Sequence, residues 1–226
     1  MVYLLQKGDV LRREKVAISM ADLPRVYCAI EDIHTLANDT RDLVPVGSVE
    51  FVTEFCNMKG IAVPGNISYP EELRSFLGRE IWTDTYGNVD SNLFVKPQQT
   101  KVFTGAIKES IDETVSDAEP VWVSTPVQFT SEYRFYIIDK EIAGYSRYDP
   151  GDNDDIEPDV TIVEQMVAAY ATQPVAYSID VGIHNGDTIL IEVNDGWALG
   201  YYPWGSMAEQ RYIELIRKRW QEIATK

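Results

Sequence analysis

Two apolar segments in the last third of the chain carry oxygen-bearing side chains of the kind that bind divalent metal ions. Asp180 lies in the first segment, and Glu192 and Asn194 end the second. Carboxylate and amide oxygens are hard ligands that suit Mg²⁺, which usually takes one or two carboxylates together with substrate phosphates. A turn containing Asn185-Gly186 joins the segments, a strong signal for a β-hairpin. The pattern predicts a metal site on this hairpin, and acids on the wet face of a sheet are the simpler alternative.

The register of the hairpin decides whether Asp180 joins the other two ligands. Glu192 and Asn194 share one strand face because side chains alternate, and Ile191 is expected to point into a core on the other face. With a two-residue turn, Asp180 pairs with Ile191 and faces away from Glu192. A three-residue turn around Asn185-Gly186 shifts the register by one and brings all three ligands together. The hypothesis therefore requires a turn with an odd number of residues.

Basic side chains on other short apolar segments are candidates for contacts with phosphate. Lys96 lies near the end of segment 93–97, where its stem can pack on the core while the ammonium reaches outward. Glu132 and Arg134 alternate on one face of a later strand, and Arg147 lies on the partner strand of a second predicted hairpin. Two arginines near one face would neutralise phosphate charge bidentately. A surface lysine and a Glu–Arg surface ladder are the simpler interpretations.

The hydrophobic pattern that must position these residues divides the chain near residue 90. Residues 1–90 are predicted to form a small α/β part, and residues 91–226 an antiparallel-rich α+β part. Expected strands are 44–47, 60–66, 93–97, 120–124, 133–138, 142–148, 176–183 and 188–194, and expected helices are 48–55 with Ser48 as its cap, 69–78, 162–170 and 208–223.

Composition limits the classes of partner. The 226 residues include 20 Lys and Arg against 36 Asp and Glu, a formal charge of −16. Such acidity disfavours general binding to nucleic acids and to anionic membranes, both of which need basic surfaces. Cys28 and Cys56 are too few for a disulfide framework or a zinc quartet. Because no signal peptide and no apolar run of about 20 residues is visible, a soluble cytoplasmic protein is expected.

An acidic segment follows Arg147 directly and holds six acids among residues 149–159. A mobile solvated loop is the simpler interpretation. The functional hypothesis is a lid or docking surface for a cationic nucleophile, such as a Lys- or Arg-rich peptide or a polyamine. Aromatic residues after the metal strand are expected either to line a substrate pocket or to join the core; these are Trp197, Tyr201, Tyr202 and Trp204.

The order of these residues resembles the ATP-grasp superfamily, and within it the short bacterial and viral proteins. The resemblance covers Leu93 to Tyr202 and is most specific at the ending Glu192-Val193-Asn194. It implies an ATP-grasp fold that binds ATP and Mg²⁺, with Mn²⁺ as an alternative metal. The implied phosphate ligands are Lys96, Arg134, Arg147 and, less clearly, Lys101 and Arg79; the implied adenine hinge runs through Val123, Ser124 and Val127; Glu132 completes the nucleotide site; Asp180, Glu192 and Asn194 hold the metal.

The resemblance also implies an activity. The N-terminal part is similar to the small pre-ATP domain of the short proteins, and the whole is expected to be an ATP-dependent carboxylate–amine ligase. A substrate carboxylate would attack the γ-phosphate to give an acylphosphate and ADP, and an amine would then attack the acylphosphate. Lys96, Arg134 and Arg147 would serve this chemistry by positioning and charge neutralisation. A kinase on the same nucleotide site and a non-catalytic nucleotide-binding module remain alternatives.

Overall fold

The N-terminal part of the protein is a small parallel sheet flanked by helices. The computed structural model describes residues 1–8, 12–99, 102–112, 114–149 and 156–225, except for the side chain of Arg12. Here β1 (Val2–Gln6), β2 (Arg25–Cys28) and β3 (Leu43–Val46) pair in the order β2-β1-β3, with α1 (Arg12–Met20) and α2 (Val49–Lys59) as the connecting or following helices. As predicted, the Ser48 hydroxyl caps α2 by accepting from the Phe51 amide at 3.2 Å.

Two local predictions in this part are wrong. Residues 60–66 form no strand, because Gly60 ends α2 in the left-handed region at φ 67° and Asn66 closes a turn by accepting from the Ser68 amide. The helix predicted over residues 69–78 is instead a short 3₁₀ helix, Glu71–Phe76. Both segments lie beside the cavities described below, where irregular backbone leaves room for a ligand.

A four-stranded antiparallel sheet, called here the middle sheet, follows. It contains β4 (Ile81–Thr85), β5 (Phe94–Pro97), β6 (Ala106–Ile107) and β7 (Pro120–Ser124) in the order β4-β7-β5-β6. Val95, Val121 and Val123 are fully buried in a small core on one face. Because strand side chains alternate, Lys96 and Ser124 lie on the other face.

The second antiparallel sheet, called here the C-terminal sheet, has one helix on each face. It contains β8 (Glu132–Ile138), β9 (Glu141–Arg147), β10 (Ala176–His184) and β11 (Asp187–Asp195) in the order β11-β10-β8-β9. One face packs on α3 (Val160–Ala169), and the other on α4 (Glu209–Ala224) and the N-terminal sheet. The predicted α+β class, with an α/β N-terminal part and antiparallel sheets after it, is confirmed.

The packing suggests subdomain limits that differ from 1–90 and 91–226. β4 belongs to the middle sheet although it precedes residue 90, and α4 completes the N-terminal core, where the rings of Phe55 and Trp220 lie 5.7 Å apart. We therefore propose a boundary before Ile81, with α4 returning to the N-terminal subdomain. Among the described residues, no helix is long and apolar enough to cross a membrane.

Candidate active site

A β-bulge in the β10–β11 hairpin brings the three predicted metal ligands together. The turn is the two-residue Asn185-Gly186, with φ values of 52° and 88°, so the expected odd-numbered turn is wrong. The register shifts instead between Asp180 and Val181: Val181 pairs with Leu190, whereas Asp180 pairs with Glu192. Ile191 is the extra residue, and such an insertion moves the register by one as a longer turn would.

The side chains of this cluster are in direct contact. The Asn194 amide nitrogen donates to Asp180 Oδ2 at 3.0 Å and to Glu192 Oε1 at 3.1 Å. Arg134, opposite Asp180 on β8, donates to it from Nε at 2.9 Å and from Nη2 at 2.7 Å. Asp180 is 1% exposed, so this paired charge is buried. Two carboxylates and one amide converging at this spacing form a donor set that fits Mg²⁺, with Asn194 presenting its oxygen after rotation of the amide group.

Lys96 joins the cluster from the middle sheet. Its ammonium contacts Glu192 and donates to the Ser68 hydroxyl at 3.0 Å. Burial lowers the pKa of Lys96 to about 8, against the opposing effect of the negative charge of Asp180. The sequence pattern offered no sign of Ser68, because it lies in irregular backbone 28 residues away from its lysine.

A cavity of about 390 Å³ lies between the middle and C-terminal sheets. Its walls include Lys96, Ser124, Val127 and Glu132, which were all predicted as nucleotide-binding residues. Glu132 accepts a hydrogen bond from the Tyr148 side chain, and burial raises the pKa of its carboxyl group. The structure thus brings four of the predicted nucleotide residues to one cavity.

The other predicted nucleotide residues have different positions. The Val123 side chain is buried in the small core of the middle sheet, away from the cavity, and its backbone pairs with both neighbouring strands. The hinge contacts are therefore left to the irregular segment after Ser124, from Thr125 to Val127. Lys101 lies outside the described residues.

Arg79 is a buried cation on the wall of this cavity. Its guanidinium donates to the carbonyl oxygens of Leu77 at 3.0 Å, Leu190 at 2.7 Å and Ile191 at 2.9 Å. Burial lowers its pKa, and among the described residues no carboxylate is paired with it. A buried, uncompensated charge is costly unless a ligand supplies the counter-charge, which suits a phosphate. The bulge thus exposes carbonyl groups that hold this arginine.

A second cavity, of about 280 Å³, meets the first at the cluster. Both cavities are lined by Lys96, Gly105 and Glu192. The second cavity continues past Arg134 and Asn194 toward residues 64–68 and 197–200. Lys96 and Glu192 therefore stand at the junction between two spaces of different lining.

Arg147 does not lie on the face predicted for it. In the register of β8 and β9, Arg147 pairs with Tyr133 and Ser146 pairs with Arg134. Because paired residues share a face, Arg147 is on the face that packs on α3, opposite the cluster. Its guanidinium donates to Asp149 at 2.8 and 3.0 Å. The prediction of two arginines on one face is wrong, because the strand register separates them.

The described ends of the acidic segment have structural partners. Asp149 also accepts from the Glu132 amide at 2.8 Å, and Asp159 caps α3 by accepting from Thr161. Residues 150–155 lie outside the described residues, so the lid hypothesis stays a prediction.

The four aromatic residues after β11 divide between core and site. Tyr201 is buried and stacks on Tyr212 at 4.6 Å, whereas Trp197 lines the second cavity. The ring of Tyr202 lies 5.3 Å from the Arg134 guanidinium carbon. Trp204 is 64% exposed. The alternatives left open by the sequence are thus each correct for different members of the group.

Two antiparallel sheets that enclose a cavity with basic and acidic residues on facing strands define an ATP-grasp fold. The chain belongs to the ATP-grasp family: the model of an ATP-grasp domain, family 2 of its clade, matches residues 76–215, more than half of the chain. The predicted resemblance and the predicted fold class are confirmed.

Solved structures support the same fold. D-alanine–D-alanine ligase from Bacillus anthracis is similar with a TM-score of 0.55 and 13% identity, covering 100% of this chain and 99% of that one. D-cycloserine synthetase DcsG has a TM-score of 0.57 and 11% identity, covering 97% and 100%. Macrocyclase MdnC from Microcystis aeruginosa MRC, bound with precursor peptide MdnA, has a TM-score of 0.53 and 11% identity, covering 96% and 99%. Curated protein sequences gave no match.

Proposed function

We propose that this protein is an ATP-dependent carboxylate–amine ligase that acts through an acylphosphate. The observation that carries the proposal is the meeting of two cavities at Lys96 and Glu192. A ligase of this kind needs one space for the nucleotide and another for the acceptor, with the γ-phosphate at the junction. The names of the similar structures, a ligase, a synthetase and a macrocyclase, support an enzyme of the ligase kind.

The larger cavity is the proposed nucleotide site. The backbone from Ser124 to Val127 would hold the adenine, and the Glu132 carboxylate would accept hydrogen bonds from ribose hydroxyls. Arg79 and Lys96 would contact the phosphates, since both are buried cations directed into this space. Asp180, Glu192 and Asn194 would hold Mg²⁺, which neutralises charge on the phosphate oxygens when it is bound.

The chain's own groups suit both chemical steps. In the first step, a carboxylate oxygen of the substrate forms a bond to the γ-phosphorus while the bond to the ADP oxygen breaks, and Lys96 stabilises the charge that develops on the phosphate. In the second, an amine attacks the acyl carbon, the acyl–phosphate bond breaks, and the amine loses a proton. Arg134 is held by Nε and Nη2, so its Nη1 remains available toward Gly200, which lines the second cavity. Such a fixed donor would stabilise the oxyanion of the second step.

Trapping of the acylphosphate tests the proposal directly. The purified protein with ATP, Mg²⁺ and panels of carboxylates, peptides, amino acids and polyamines should form ADP only when a suitable carboxylate is present. Hydroxylamine should convert the intermediate to a hydroxamate. Glu192→Gln should lower ADP formation by at least about tenfold, whereas Glu164→Gln, an exposed residue on α3, should not change it.

The outcomes separate this proposal from its alternatives. A stable phosphorylated product that resists hydroxylamine would indicate a kinase. Binding of Mg²⁺–ATP without any ADP formation across the panels would indicate a nucleotide-binding module. The buried free thiols of Cys28 and Cys56 suit a reducing compartment, so a cytoplasmic location is part of the proposal.

A further inference from the structure

We propose that Arg13, on helix α1 of the N-terminal subdomain, positions Arg134 through the ring of Tyr202. The inference rests on the proposed function, in which Arg134 stabilises charge during ligation. It concerns a residue that touches neither cavity: Arg13 is exposed and would act only through another side chain.

The ring of Tyr202 is shared by the two guanidinium groups. Its centroid lies 5.3 Å from the guanidinium carbon of Arg134 and 5.2 Å from that of Arg13. Arg13 also lies over the ring of Trp204 at 4.1 Å. In a chain of net charge −16, Arg13 forms no ion pair with a described residue, and its contacts there are with aromatic rings. Stacking on rings is therefore the interaction that places Arg13.

The backbone beneath Tyr202 is tied to the C-terminal sheet and to α1. The Tyr202 amide donates to the hydroxyl of Tyr136 at 2.9 Å, and its carbonyl accepts from Ser146 at 2.6 Å. The neighbouring Tyr201 amide donates to the buried carboxylate of Glu14, the residue after Arg13, at 2.7 Å. Helix α1 thus holds this loop by a hydrogen bond to its backbone and by stacking on its side chains.

The ring in turn limits the orientation of Arg134. Tyr202 stacks with Tyr148 at 5.4 Å, and the Arg134 guanidinium lies 5.8 Å from the Tyr148 ring as well. Asp180 fixes two nitrogens of Arg134, and the aromatic pair borders the same group. Because Nη1 is the nitrogen left for a ligand, a shift of Tyr202 would change where it points.

The experiment compares Arg13→Ala with Arg13→Lys, which keeps a cation over the rings, and with Arg25→Ala, an arginine of the same subdomain whose guanidinium donates to the Leu23 carbonyl. We expect kcat of Arg13→Ala to fall about two- to fivefold, the size that an exposed cation–π contact supports, with KM for ATP unchanged. Arg13→Lys should recover most of the loss, and Arg25→Ala should match the wild type. Unchanged kcat in Arg13→Ala, or an equal loss in Arg25→Ala, would overturn the proposal.

A second measurement does not depend on turnover. The Nε–H resonance of Arg134, identified by its loss in Arg134→Lys, should shift in Arg13→Ala by more than its line width and stay in place in Arg25→Ala. Failure to find any ligation activity would refute the proposed function, while a shifted resonance would still support the positioning contact. A resonance that does not respond to Arg13→Ala would refute the contact whatever the activity.

Discussion

Replacing Lys96 by methionine should strengthen the binding of a divalent metal in the absence of nucleotide. In the structure, every carboxylate oxygen of the proposed metal ligands already accepts a hydrogen bond: Arg134 and Asn194 occupy Asp180, and Asn194 and Lys96 occupy Glu192. A metal ion approaching Glu192 must displace the ammonium of Lys96. Methionine keeps much of the length of the side chain and removes the charge.

The size of the effect follows from the contact that is removed. A hydrogen bond to a charged group is worth roughly 1.5–3 kcal/mol, which corresponds to a factor of about ten to a hundred in affinity. The nearby positive charge adds a repulsion of the same sign, because the cluster is largely buried and poorly screened. With ATP present the sign should reverse, since Lys96 is then the proposed partner of the phosphates. The two affinities, for metal alone and for the metal–nucleotide complex, should therefore move in opposite directions.

Mn²⁺ is a suitable probe, because its free concentration can be followed by electron paramagnetic resonance. The titration compares the wild type, Lys96→Met and a control, Lys108→Met, whose ammonium donates to the Val89 carbonyl in the middle sheet away from both cavities. We expect tighter binding of Mn²⁺ only in Lys96→Met. Equal or weaker binding of Mn²⁺ alone in that variant would show that Lys96 does not compete for Glu192, and the argument would be refuted.

Three further predictions concern stability and accessibility. Arg219→Met should lower the free energy of unfolding in urea by about 3–5 kcal/mol because it leaves the buried carboxylate of Asp195 without its bidentate partner, and the added change Asp195→Asn should restore part of this; a cost below about 1 kcal/mol would contradict the pairing. Both thiols should resist a maleimide reagent at pH 8 until the protein unfolds, since burial raises the pKa of Cys56 to about 11, and rapid labelling of the native protein would contradict this. Gly182→Ala should cost about 1–3 kcal/mol in chemical denaturation and weaken nucleotide binding in calorimetry, because the new methyl group would lie 2.2 Å from the ring of Phe129 on the wall of the nucleotide cavity; unchanged values of both would show that the ring moves freely.

Strand alternation and turn chemistry predicted much of the C-terminal sheet. The hairpins and the shared face of Glu192 and Asn194 follow from periods and turns that are local in sequence. The face of Arg147 was not predictable in the same way, since it depends on how two strands align across a turn. Arg79 is held by backbone carbonyls more than 100 residues away, which no side-chain pattern records.

The stacking of Arg13 on Tyr202 has the same cause. It joins helix α1 to a loop near the other end of the chain, and both residues lie in segments with no periodic signal of their own. Long-range contacts of this kind are decided by the packing of the subdomains. Local propensity predicted the strands, and packing decided which side chains meet at the site.

The bulge at Ile191 also determines which one-residue deletions in β11 the protein can survive. Ile191 has no partner on β10, so its removal would turn the strand into a regular one and leave Asp180 opposite Glu192. Loss of a residue between Asp187 and Leu190 would instead send the side chains on one side of the deletion to the opposite face. A scan of single-codon deletions along β11 should therefore find one tolerated position, beside the metal ligands themselves. The cost of that deletion would fall on Arg79, which would lose the carbonyl group of Ile191.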